Sequence, residues 1–228
     1  METNKISIAI DGPAAAGKST VAKIVARELS YIYIDTGAMY RAITFKALEQ
    51  AIPLNNEAEI LNILKHTEIN LSQGTEGQRV VIDGIDRTDE IRSQEVTNNV
   101  STVAGYRLIR EELVKRQQAF GKERGVVMDG RDIGTHVIPD AEVKIFLIAS
   151  VTERAERRFK ENKEKGFRVE LEQLKQEIEA RDEQDRQREF SPLIKAEDAI
   201  EIDTTSLSIQ QVAEEILHIA KQRLGKNE

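Results

Sequence analysis

Gly12-Pro13-Ala14-Ala15-Ala16-Gly17-Lys18-Ser19 decides the reading of this chain. It fits G-x-x-x-x-G-K-[ST], and it stands in the context that gives the pattern a physical meaning. Residues 6–10 form an apolar, β-branched run ended by Asp11-Gly12-Pro13, which predicts a buried strand. Residues 19–29 then carry Val21, Ile24, Val25 and Leu29 at helical spacing. Strand, glycine-bearing loop and helix in that order make a phosphate cradle. The glycines let the backbone curl so that its N–H groups converge on phosphate oxygens, and the positive end of the helix adds to them. The three alanines keep their N–H donors. Lys18 is placed to bridge β- and γ-phosphates, and the Ser19 hydroxyl is the candidate Mg²⁺ ligand.

The same alternation continues along the chain. Residues 31–34, 126–128, 143–148 and 200–202 read as short strands, each bounded by Gly, Asp, Pro or Thr. Helical spacing covers 38–50, 170–189 and 209–224, and Thr204, Thr205 and Ser206 are the capping candidates for the last helix. Short apolar strands alternating with helices predict an α/β fold, a central parallel sheet flanked by helices. Residues 61–98 break the rhythm. Gly74, Gly77 and Gly84 with the alternation Arg79-Val80-Val81-Ile82-Asp83 predict antiparallel hairpins. They read as a small subdomain inserted into a core of 1–60 and 99–228.

Composition narrows the function classes. A chain of 228 residues is long enough for one core with a subdomain. Its 33 basic against 40 acidic residues give a net charge of −7, which argues against a nucleic-acid or membrane-surface partner. With four tyrosines and six phenylalanines there is also little to stack on bases. The absence of cysteine removes disulfides, thiolate metal sites and cysteine nucleophiles. Three scattered histidines argue against a histidine-built metal centre. No run approaches 18 apolar residues. Residues 1–5 show no signal-peptide pattern, so a cytoplasmic protein is expected.

A guanine-nucleotide switch needs Asn-Lys-x-Asp after a strand, and no Asn-Lys pair here fits. A small P-loop phosphotransferase remains, and an anionic acceptor needs cations beyond Lys18. Arginine suits that task because its fork binds phosphate through parallel hydrogen bonds. Arg41 follows a strand within Asp35-Thr36-Gly37-Ala38-Met39-Tyr40-Arg41. Arg131 and Asp132 follow another within Asp129-Gly130-Arg131-Asp132, where ligands bind in open α/β sheets. Asp129, at that strand tip, is a Walker-B-like acid, a second-shell partner of Mg²⁺. Arg181, Asp185 and Arg188 share a helical face that would hold a phosphate and a ribose hydroxyl, and reads equally as a solvated charged face. Arg154, Arg157 and Arg158 fit a mobile lid delivering arginines to a phosphate, and equally an ordinary surface helix.

Residues 12–20, 35–41, 129–135 and 181–188, four blocks in order and spacing, resemble the bacterial cytidylate kinases, and the resemblance covers nearly the whole chain. It implies a P-loop kinase fold with an inserted nucleoside-monophosphate-binding subdomain and a helical lid over about 152–168. It implies Mg²⁺-assisted phosphorylation of CMP and dCMP by ATP. The residues that it marks for ATP are Gly12, Pro13, Ala14, Ala15, Ala16, Gly17, Lys18, Ser19 and Thr20. For the cytosine edge it implies Ser101, Arg110 and Asp132, the first two of which residue chemistry alone does not single out. It implies Asp185 with Arg181 on the ribose, Arg41, Arg131 and Arg188 on the acceptor phosphate, and Arg157 and Arg158 in the lid. The Thr36 hydroxyl would donate to substrate. The rivals are another small P-loop kinase, acting on UMP, AMP or a non-nucleotide metabolite, and a regulatory module that binds nucleotide without turnover. A separately closing lid fits a monomer.

Overall fold

Five of the apolar runs become one sheet. In the computed structural model, which describes residues 5–74, 77–164 and 166–225, β1 (Ser7–Asp11), β2 (Ile32–Asp35), β6 (Val126–Gly130), β7 (Val143–Ile148) and β8 (Ile200–Asp203) lie in the order β2-β6-β1-β7-β8. Every neighbouring pair is parallel. A parallel sheet is covered on both faces, so the inner strands β1 and β6 are buried at every position. Only the edge strands leave apolar side chains in water: Ile32 is 54% exposed and Ile200 45%. The side-chain period of two sorts β1 between two cores. Ile8 and Ile10 join Val21 and Val25 of α1 (Lys18–Leu29) and Val212 and Ile216 of α8 (Ile209–Leu224). Ala9 faces the other way, toward Val114 of α5 (Arg107–Phe120) and Ile133.

The hairpins stand apart from this sheet. β3 (Ile69–Gly74), β4 (Gly77–Ile82) and β5 (Ile85–Asp86) form a three-stranded antiparallel sheet. Val80 and Ile82 pack in a further core with Met39 and Ile43 of α2 (Gly37–Glu49), Ile60 of α3 (Glu57–Lys65) and Val100 of α4 (Gln94–Gly105). Two amides clasp this sheet to the edge of the main one: the Gln73 Nε2 donates to Tyr33 O at 2.6 Å, and the Gln78 Oε1 accepts from Asp35 N at 2.9 Å. α6 (Val151–Glu164) packs on α7 (Leu171–Gln187) through Ala155, Leu174 and Ile178. Among the described residues no helix is long and apolar enough to cross a membrane. Residues 1–4, read with Lys5 for a targeting pattern, and residue 165 of the expected lid lie outside the described residues.

Two expectations are corrected. The cap of α8 is Ser208, not Thr204, Thr205 or Ser206: its side chain and Gln211 form a reciprocal capping box. Thr204 instead donates its hydroxyl to Ile148 O at the end of β7, and Thr205 bonds Asp203. α7 ends at Gln187, so Arg188 lies just past the helix with extended backbone, φ −56 and ψ 134, and does not continue the face of Arg181 and Asp185. It still pairs with Asp185 by reaching back across the terminus.

Candidate active site

The C-terminal ends of β1, β2 and β6 open into a cleft of about 1430 Å³. One end of it is the loop between β1 and α1. Gly12 has φ +146, and a Cβ there would stand 2.2 Å from Leu147 O, so the loop passes β7 only with glycine. Ala15 and Gly17 take left-handed backbone, φ 59 and 88, which turns successive N–H groups into an anion-binding nest. α1 has no acidic residue in its first turn, so its terminal N–H groups stay available for phosphate. Ala14 to Thr20 all line the cleft, whereas Gly12 and Pro13 are buried beneath it. The Lys18 ammonium folds over the loop and donates to Pro13 O at 2.7 Å.

Asp129 stands beside it. Its carboxylate accepts from the Ser19 hydroxyl and from the Tyr33 hydroxyl, both at 2.8 Å. Strand register makes this possible, since Asp35 of β2 and Ile10 of β1 both pair with Asp129. No three His, Asp or Glu cluster as a metal-ligand set among the described residues. The Ser19 oxygen has its proton on Asp129 and lone pairs left over, which fits a cation held mainly by phosphate oxygens.

Away from that loop, arginines converge on one carboxylate. Arg131 Nε donates to Asp185 Oδ2 at 2.9 Å, and Arg188 pairs with Oδ1. Burial alone would raise Asp185, but Arg131, Arg188 and Arg181 together hold it below the ordinary carboxylate range. Arg181 Nε and Arg188 Nη1 are buried donors with no hydrogen-bond partner among the described residues. Arg41 donates to the Thr97 hydroxyl at 2.9 Å. At the floor, Arg110 and Asp132 form an ion pair at 2.8 Å with side chains only 2% and 4% exposed. The Arg110 guanidinium also covers the Tyr40 ring, 5.2 Å from its centroid. Ser101 lines the cleft as well.

A family model described as cytidylate kinase matches residues 8–222. Proteins named cytidylate kinase are 64% identical in Bacillus velezensis and 62% in Bacillus subtilis, each over 96% of this chain and 98% of the relative. One from Bacillus cereus is 61% identical over 97% of this chain and 99% of its own length. The chain belongs to the cytidylate kinase family.

In this family member the charges of the cleft are poised against one another. Lys18 is pushed down to about 7, by burial first and then by Arg131. Arg181 is pushed down to about 9 and Arg41 to about 10, burial leading in both. Burial, then Asp35, lifts Asp129 to about 6. Perturbed groups gathered in one cleft mark a functional site. Thr36 lines the cleft too, but its hydroxyl donates to Asp129 O at 2.8 Å. Its oxygen is therefore placed to accept, not to donate as the resemblance implies.

The three arginines of α6 separate. Arg158 lines the cleft, 3.4 Å from a Glu161 oxygen. Arg157 reaches Thr204, donating to its carbonyl at 2.6 Å and its hydroxyl at 3.1 Å. Arg154 does not enter the cleft. It pairs with Asp182, both side chains buried. Sequence reasoning also missed Tyr33 and Asp11. Asp11 accepts from Ile133 N and Gly134 N, both at 2.8 Å, and so holds the turn that carries Arg131 and Asp132. The partners of Asp11 lie 122 and 123 residues away and that of Tyr33 lies 96 away, so nothing local marks either role until the strands pair.

Proposed function

We propose that this chain transfers the γ-phosphoryl group of ATP to CMP and dCMP, giving ADP with CDP or dCDP, with Mg²⁺ as the metal. One observation carries the reading: a single cleft joins a phosphate cradle at Lys18 to a cluster of arginines around Asp185, with a buried guanidinium–carboxylate pair at its floor. That arrangement suits two polyanions and one polar base edge.

Ala14 to Thr20 hold the donor phosphates, with Lys18 on the β and γ groups. Ser19 would hold Mg²⁺, oriented by Asp129, and the metal would supply charge neutralisation between the donor phosphates. Arg41, Arg131 and Arg188 hold the acceptor phosphate, and Asp185 with Arg181 the ribose. Asp132 accepts from the cytosine amine, while Arg110 and Ser101 donate to the ring acceptors. A nucleoside monophosphate has its second pKa near about 6, so at neutral pH the acceptor is mostly a dianion and needs no general base. Its oxygen attacks the γ-phosphorus in line, and the bond to the ADP oxygen breaks. The barrier is then electrostatic and geometric. Arg158, on the lid segment 152–168, adds charge to the transferring group, and closure of that lid with the 61–98 subdomain excludes water.

The test is a coupled ADP-release assay against CMP, dCMP, UMP, AMP, GMP and dTMP. CMP and dCMP far ahead of the others support the reading. Activity on none of them, with ATP still bound, overturns it.

A further inference from the structure

Arg154 is the least exposed of the three arginines of α6, its side chain 3% exposed, and its guanidinium binds three segments at once. Nη1 and Nη2 fork onto the two carboxylate oxygens of Asp182 at 3.1 and 2.6 Å. Nε donates to Ala149 O, just past β7, at 3.0 Å. Nη1 also donates to Ala14 O, in the donor loop, at 3.3 Å. The planar fork of arginine matches this set, and lysine could not reproduce it.

Two consequences follow from elementary geometry. In a trans peptide the C=O and the following N–H point in opposite directions. A carbonyl of Ala14 turned toward Arg154 therefore turns the N–H of Ala15 away from it, and Ala15 is a left-handed residue of the nest. Arg154 thus sets the plane of one peptide that presents a donor to phosphate. The other partner, Asp182, belongs to α7, next to Arg181 and one turn before Asp185. The helix that carries acceptor-site groups is tied by this pair to the loop that cradles the donor.

We propose that Arg154 and Asp182 are a positioning pair for the donor loop, so that a change at Asp182, on the acceptor helix, is felt as lost ATP affinity. This rests on the kinase reading above only in taking ATP as the donor. Neither side chain touches a nucleotide in it. The pair is neutral as a whole, so removing both members leaves the charge of the site unchanged.

The test compares Arg154→Lys, Asp182→Asn and the double variant Arg154→Met/Asp182→Leu with the wild-type enzyme. Removing one partner leaves a buried charge unpaired and lowers stability, whereas an apolar pair of similar volume is often neutral or better. The double variant is therefore the decisive one. ATP affinity is read directly with a fluorescent ATP analogue, and separately as KM. Expected are a melting temperature near wild type and an ATP dissociation constant raised about tenfold, the loss of one oriented charge-assisted contact. The single variants should weaken ATP as well. A folded double variant whose ATP affinity stays within twofold of wild type would overturn the proposal, since a purely structural pair recovers function with stability. Wild type that binds ATP but turns over no CMP would refute the acceptor reading and leave this test intact.

Discussion

Asp132→Asn is the sharpest perturbation of the acceptor site. In the wild-type chain Asp132 is an acceptor only, held 2.8 Å from Arg110 and almost wholly buried. In the proposed arrangement cytosine would meet it with an amine donor, uracil with a carbonyl acceptor. Reducing a charge-assisted hydrogen bond to a neutral one costs CMP about 1–2 kcal/mol. An amide that can donate to the uracil carbonyl returns about 1 kcal/mol to UMP. The CMP to UMP ratio of kcat/KM should therefore fall by about 2–3 kcal/mol, or roughly 30- to 150-fold. Asparagine keeps an oxygen near Arg110, and Arg110 keeps its bond to Ala104 O at 3.1 Å. The stability loss should then stay below the roughly 3–5 kcal/mol of breaking a buried pair outright. The assay is initial-rate ADP release with CMP and with UMP at saturating ATP, beside a thermal melt. A folded variant whose ratio moves less than twofold would refute the placing of Asp132 on the base edge.

Lys18→Ala should reduce turnover about a thousandfold with a near-wild-type melt, because the hydrogen bond of the ammonium, to Pro13 O, stays within its own loop; near-normal turnover in a folded variant would remove Lys18 from the chemistry. Asp185→Ala should weaken CMP roughly 10- to 150-fold and leave ATP little changed, since its partners are Arg131 and Arg188 at the acceptor end; equal losses in titrations of both nucleotides would reject the assignment. ATP binding should take up close to one proton at pH 8 and little at pH 6. Lys18 sits at about 7 in the free enzyme, facing Arg131, Arg181, Asp129 and Asp11, and the donor phosphates raise it again, so affinity falls as pH climbs above 7. Calorimetry in two buffers of different ionisation heat measures this, and a buffer-independent heat at pH 8 contradicts it.

How much of this was legible in the sequence depends on how far apart the cooperating residues lie. The donor loop is contiguous, so one stretch shows the strand, cradle and helix together. Arg41, Arg131 and Asp132 follow strand ends, and the parallel sheet brings those ends to one side. Pairing across long separations leaves no local mark. Tyr33 meets Asp129 only because β2 lies beside β6, 96 residues on. Arg154 looks like a lid arginine beside Arg157 and Arg158 until α6 packs on α7 and Asp182 takes its fork. Ser101 and Arg110 came from the family resemblance, because a polar residue on a helix looks the same whether it faces water or a base. The misplaced cap of α8 has a local cause: Thr204 and Thr205 are good caps by type, but the Thr204 hydroxyl donates to Ile148 O and the Thr205 hydroxyl to the Asp203 carboxylate.

Burial works against the charged groups of the cleft, lowering its cations and lifting Asp129. Lys18, Arg41 and Arg181 are all pushed below their ordinary values, burial in each case compounded by neighbouring cations. Arg131, Arg181 and Arg188 crowd the one carboxylate of Asp185, and Arg181 and Arg188 each keep a buried donor with no partner among the described residues. A donor triphosphate and an acceptor monophosphate would offset that crowding, and the same groups would then attract where they had repelled. Each nucleotide should therefore bind with a gain beyond its direct contacts, through relief of repulsion already present. That gain is largest for a ligand carrying several negative charges close together. On the proposed reading the cleft would disfavour neutral acceptors before any base is read, and would leave to Asp132 and Arg110 the narrower choice among nucleotides.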